Sequence, residues 1–275
     1  MTTIDRLSLC TVPLEQYFKD AQHETRLSQG TGFIWRVGKS YDYLVTNWHV
    51  LSGRDFFTGE NLNKHGGRPT VLRAIFDMKT GLFDRHRLEI GIRDKDDRPL
   101  WFVHPSRKVD IAVIPIAAVR APINDPNAFS LLYPINELAN AKLRIAIGME
   151  VFILGYPFEI ELPGYPVWKR GSIASEPELA SLMSALGSAV RHSDYILVDT
   201  ASRPGMSGAP VIRRSWSNHD IESGFIATVD TPIDRFLGVY SGRAHTDGPH
   251  EAQIGLVWNA SLIEEIIVGQ RRDTN

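Results

Sequence analysis

A chain of 275 residues, 43% hydrophobic and 23% charged with a net charge of −2, has the make-up of a folded globular protein. That balance excludes a disordered chain and offers no basic surface for nucleic acid, and no apolar run reaches the 18 residues of a membrane span. Cys10 is the only cysteine, so no intrachain disulfide can form.

Residues 1–10 lack a basic start followed by an apolar core, so no secretory leader is read there. With the lone cysteine this predicts a cytoplasmic protein. Residues 1–30 are expected to form an N-terminal strap, a short helix or surface segment with spaced apolar residues at Leu14, Phe18 and Ala21. From Thr31 to Val50, β-branched and aromatic residues broken by Gly38-Lys39-Ser40 predict a hairpin that carries His49 at a strand end. Residues 54–69 read as a surface loop. Strands are predicted over 71–76, 87–93 and 100–103, and Arg93–Arg98 as a solvated hairpin tip rather than a metal site. The run from Val109 to Ile116 is a strand opening on Asp110.

Prolines at 122, 126 and 134 mark residues 121–142 as a linker with one short helix around Asn136 to Ala141. Strands follow at 143–154 and 167–173, with a turn at Gly155-Tyr156-Pro157 between them. The small-residue run after Glu176 suits either an amphipathic helical insertion or a plain strand connector. Further strands are predicted at 224–229, 235–240 and 254–258. Residues 259–267 then combine helix-start residues with apolar positions on one face.

One stretch organises the rest: Asp199-Thr200-Ala201, then Pro204-Gly205-Met206-Ser207-Gly208-Ala209-Pro210. A serine hydroxyl needs a base and a pocket of donors for the developing oxyanion before it acts as a nucleophile. Glycine at 205 permits a backbone that turns nearby amides into one hole. Taken alone, Gly-Met-Ser-Gly is also an ordinary turn. The chain elsewhere supplies His49 within Thr46-Asn47-Trp48-His49-Val50 and Asp110 within Asp110-Ile111-Ala112-Val113. The order His, Asp, Ser, at gaps of roughly 60 and 100 residues, is the order of the triad in chymotrypsin.

These segments, with Thr31-Gly32-Phe33-Ile34 and Gly155-Tyr156-Pro157-Phe158, resemble a trypsin-like (chymotrypsin-fold) serine peptidase, nearest in pattern to the bacterial HtrA-like branch. The resemblance implies an all-β fold: two packed six-stranded antiparallel β-barrels, residues 31–120 and 143–275, with a C-terminal helix. It implies a serine endopeptidase working through an acyl-enzyme. Ser207 would attack, His49 move the proton and Asp110 orient His49. Gly205, Met206 and Ser207 would frame the oxyanion hole through the amides of Gly205 and Ser207. Substrate would be bounded by Ala201, Ser202 and Arg203 on one side and by Tyr240, Ser241, Gly242 and Arg243 on the other. Ser241 is either a hydroxyl near the aspartate or a turn residue, and the two arginines either turn inward or face solvent.

With no carboxylate in that pocket, small or medium uncharged side chains are expected before the cut bond rather than lysine or arginine. Neither a cofactor nor a metal is implied. The partners implied are a polypeptide substrate and, because no PDZ domain follows, regulation by loops or a separate protein. Met206 stands where animal enzymes carry an aspartate, which argues against activation by prodomain cleavage. The competing reading is a catalytically silent binding protein of the same fold. An esterase is disfavoured because the Gly-x-Ser-x-Gly elbow is missing.

Overall fold

In the computed structural model the described residues are 4–39, 41–64, 67–78, 85–119, 132–157, 164–176, 194–201, 203–222, 231–243 and 254–274. Two antiparallel β units dominate them. The first contains β1 (Thr11–Lys19), β2 (Glu24–Val37), β3 (Tyr41–Thr46), β4 (Val71–Asp77), β5 (Arg85–Gly91), β6 (Phe102–Val103) and β7 (Ala112–Pro115). The second is built from β8 (Glu150–Gly155), β9 (Val167–Ile173), β10 (Tyr195–Asp199), β11 (Pro210–Ser215), β12 (Ile233–Arg243) and β13 (Ile254–Asn259). These six close into a barrel in the order β10-β13-β12-β11-β8-β9, as the resemblance implies. The first unit is an eight-stranded sheet, because a short C-terminal strand, β14 (Arg271–Arg272), joins its edge and gives the order β14-β6-β7-β3-β2-β1-β4-β5.

The expected strap is corrected: residues 11–19 are a strand inside that sheet, hydrogen-bonded to β2 and β4. Val12, Leu14 and Gln16 are buried while Pro13, Glu15 and Tyr17 are half-buried, the period-2 alternation of a strand. Pro13 is tolerated because β4 pairs only with Leu14–Tyr17, so its missing N–H leaves no gap in that ladder. The linker helix, α2 (Ile135–Leu138), starts one residue earlier than expected. Its Asn136 side chain bonds both backbone groups of Arg36, accepting from the amide at 3.0 Å and donating to the carbonyl at 2.8 Å. The predicted strand at 224–229, the run after Glu176 and residues 121–131 of the linker lie outside the described residues.

A shared apolar core joins the two units. Phe33, Trp35 and Val45 of the first pack with Phe236, Trp258 and Ile263 of the second, and the rings of Phe33 and Phe236 stand 5.3 Å apart. Helix α3 (Ser261–Gly269) buries Leu262, Ile263, Ile266 and Ile267, one helical face, in this core. Burying each such side chain stabilises the fold by roughly 1.5–3 kcal/mol. The chain then crosses back, pairing Arg271 with Val103 and Arg272 with Phe102.

Candidate active site

His49 is delivered by β3, whose two neighbours, β2 and β7, hold it in mid-sheet. The residue lies not at the strand end but in a five-residue helix, α1 (Trp48–Ser52), with extended Asn47 before it. Gly53 ends the helix at φ 70°, its amide donating to the His49 carbonyl at 3.0 Å. Such a left-handed stop is a glycine position.

Asp110 is wholly buried two residues ahead of β7. Its carbonyl accepts from Asn47 Nδ2 at 2.7 Å, which ties the start of α1 to the aspartate. One carboxylate oxygen accepts the His49 amide at 3.0 Å; the other accepts His49 Nδ1 at 2.7 Å and the Ser241 hydroxyl. Three donors converging on one carboxylate offset the cost of burying its charge. With Nδ1 donating, Nε2 is left as the acceptor. Burial alone would push the imidazole below its ordinary pKa. The charge and hydrogen bond of Asp110 outweigh that, with a further contribution from Asp55, and the net direction is upward.

The serine loop is bent by two glycines that no other residue could replace without a shift. At Gly205, φ 93°, a Cβ would lie 2.2 Å from the Tyr156 carbonyl oxygen. At Gly208, φ 84°, it would lie 2.1 Å from the Thr31 carbonyl oxygen. Thr31 of β2 fastens this loop to the first unit. Its amide donates to the Ser207 carbonyl at 2.8 Å and its hydroxyl to the Gly205 carbonyl at 2.8 Å. The Thr31 hydroxyl also accepts from the Tyr156 amide at 3.3 Å, while Thr46 donates to the Thr31 carbonyl at 2.8 Å. On the barrel side, Gly208 donates to Tyr240 and Tyr240 to Ala209, both at 2.8 Å.

Of the three residues expected at the oxyanion hole, Met206 differs. Its amide donates to the Arg203 carbonyl at 3.2 Å and its side chain is buried in the barrel core. The amides of Gly205 and Ser207 have no partner among the described residues. His49, Asp110, Gly205, Ser207 and Ser241 line one cleft of about 570 Å³. The Ser207 hydroxyl forms no hydrogen bond with the imidazole.

The residues expected to bound substrate separate. A Cβ on Gly242, φ 91°, would lie 3.9 Å from Ser207 Oγ, so this stretch of β12 borders the nucleophile. Ser241 turns its hydroxyl to Asp110, which decides between its two readings. The Tyr240 ring is in the barrel core against Gly255, so only its backbone faces the serine loop. Ala201 and Arg203 are half-buried, and the Arg203 charge, behind the effect of burial, helps hold Lys169 of β9 below the ordinary lysine pKa. Ser202 and the Arg243 side chain lie outside the described residues.

Three positioning residues escaped sequence reasoning. Thr31 and Asn47 sit inside the quoted motifs, but only pairing across the two units reveals their roles. Asp273 carries no local signal at all. Its Oδ2 accepts from the indoles of Trp48, at 2.7 Å, and Trp101, at 3.1 Å. Among the described residues no cluster of three or more His, Cys, Asp or Glu could hold a metal ion, and no helix is long and apolar enough to cross a membrane.

A sequence model of the trypsin-like peptidase domain matches residues 30–217. No curated protein matches the chain. Among solved structures, the crystal structure of an inactive mutant form of Rv3671c from M. tuberculosis H37Rv is similar over 95% of this chain and 86% of that one, at 17% identity and a TM-score of 0.46.

Proposed function

The chain belongs to the trypsin-like peptidase domain family, and from that premise we propose that it is a serine endopeptidase, nearest the HtrA-like branch. The observation that carries this reading is one cleft holding Ser207, an Asp110-bound His49 and the amides of Gly205 and Ser207, which bond nothing among the described residues.

Ser207 Oγ attacks the scissile carbonyl carbon as His49 Nε2 takes the hydroxyl proton. The carbonyl oxygen becomes an oxyanion held by the Gly205 and Ser207 amides. Asp110 keeps the imidazole in its tautomer and stabilises the imidazolium. The intermediate then collapses: the C–N bond breaks, and His49 gives its proton to the leaving amine. An acyl-Ser207 ester remains, which water hydrolyses by the same steps. The serine–imidazole hydrogen bond forms as substrate settles, since bonds of this kind tighten in the substrate complex.

Before the cut bond the enzyme takes small or medium uncharged side chains. The residues that bound this side chain, Ala201 to Arg203 and Tyr240 to Arg243, include no carboxylate to pair a buried cation. A single buried cysteine suits a reducing, cytoplasmic setting, and loops or a separate protein supply any regulation.

Reaction with a fluorophosphonate, followed by mass spectrometry of the labelled peptide, tests the assignment. Labelling at Ser207 that vanishes in His49→Ala supports it. An unlabelled Ser207 in folded protein favours the silent binding reading instead.

A further inference from the structure

The cleft that holds Ser207 and His49 is also lined by the loop that follows helix α1, through Phe57 and Leu62, and by Leu27 of β2. In acyl transfer His49 must protonate the departing amine, so the space beyond His49 receives the half of the substrate that leaves. Among the described residues, 24–30 of β2 pair with β1 alone, and Leu27, Ser28 and Gln29 line this space.

The far wall is a built loop. The Asp55 carboxylate accepts from the amides of Phe57 at 2.9 Å and Thr58 at 2.8 Å. Asp55 exchanges backbone bonds with Glu60 and Gly59, and the Leu62 amide donates to Gly53 at 2.9 Å. Phe56 anchors it, edge-on to Trp258 at 5.5 Å and to Phe57 at 5.2 Å. Yet Phe57 and Leu62 are left 51% and 52% exposed, two of only seven large apolar side chains so placed among the described residues. Leu27, from β2, lines the same channel. Large apolar groups held by a braced loop and left facing an open cleft are a binding surface rather than a core.

We propose that this channel selects the leaving side of the substrate: a polypeptide with a large apolar side chain, such as leucine or phenylalanine, within the first two positions after the cut bond. The proposal rests on the peptidase reading above for which half of the substrate leaves.

Binding to the Ser207→Ala protein tests it without turnover, using fluorescein-labelled peptides of four alanines, two variable residues and two alanines. Leucine or phenylalanine at the variable positions should bind at least tenfold more tightly than aspartate or glycine. Phe57→Ser with Leu62→Ser should reduce that ratio to within about twofold at an unchanged melting temperature, and Phe57→Leu should retain it. If the double variant lowers the melting temperature, the single Phe57→Ser and Leu62→Ser proteins should each show a reduced ratio. Equal binding of all four peptides, or a preference that survives both substitutions, overturns the channel. The peptidase reading fails on a separate signal, the absence of fluorophosphonate labelling at Ser207 in the wild-type protein.

Discussion

Asp273 and Trp48 lie 225 positions apart in the chain, and their side chains share a 2.7 Å hydrogen bond one residue from the candidate base. The same carboxylate oxygen accepts from Trp101, whose carbonyl in turn accepts the Asp273 amide at 3.3 Å. Asp273→Ala leaves two indole N–H groups without this acceptor, at about 1–3 kcal/mol for each buried donor left unpaired. The protein should fold with a lower denaturation midpoint, and kcat should fall more than KM rises because helix α1 is less firmly held. Asp273→Asn keeps an acceptor oxygen and should recover most of both. Activity loss in Asp273→Ala that tracks the unfolded fraction alone would remove the positioning role.

The triad residues should differ in how much they cost. Ser207→Ala or His49→Ala is expected to lower kcat by about 10⁶, and Asp110→Asn by about 10⁴, with the fold retained. Circular dichroism with single-turnover kinetics on a peptide substrate measures both. Near-full hydrolysis by purified Ser207→Ala protein would exclude Ser207 as the nucleophile.

The acid limb of activity should sit high. His49 must be neutral at Nε2 to take a proton, and its pKa is raised above the ordinary 6.5. Activity should therefore rise with pH through a midpoint above 6.5. Stability runs in the opposite sense: the charged His49–Asp110 pair contributes fully below the unfolded histidine pKa, and the contribution fades as pH rises through the raised folded value. NMR titration of the imidazole in wild type and Asp110→Asn checks the sign. A midpoint that does not fall on substitution would contradict Asp110 as the cause.

Thr31→Val keeps the shape of the side chain and removes the hydroxyl that holds the Gly205 carbonyl and receives the Tyr156 amide. With the loop less fixed, the Gly205 amide is less well aimed. We expect kcat/KM to fall by roughly tenfold, the value of about 1.4 kcal/mol of lost hydrogen bonding. Thr31→Ser should restore it. Steady-state kinetics on the three proteins decides whether the hydroxyl, rather than the bulk, matters.

Strand patterns and short motifs were the legible part of this chain. Alternation and β-branched runs located β3, β4, β5, β7, β8, β9, β12 and β13, and the motifs around His49, Asp110 and Ser207 predicted residues that share one cleft. Local pattern failed where the partner was remote. Residues 11–19 looked like a strap because their polar outer face masks the buried Val12 and Leu14. Met206 looked like part of the hole, yet its amide closes the turn back to Arg203. Nothing near Asp273 announces two tryptophans that lie more than a hundred residues earlier. Hydrogen bonds between distant segments leave no periodic trace, and these bonds aim the site.

The return of the chain to its first unit through β14 also gives the site a detachable part. The stretch Arg271–Asp273 edges β6 and ties down Trp48, so it acts as a latch laid across the first unit by the element that follows helix α3. Undoing the latch frees α1 from this restraint while the barrel β10-β13-β12-β11-β8-β9 keeps its own ladder. A protein ending at residue 269 should therefore label with fluorophosphonate more slowly than the 275-residue chain. Equal labelling rates in folded protein would show that the latch has no bearing on the site.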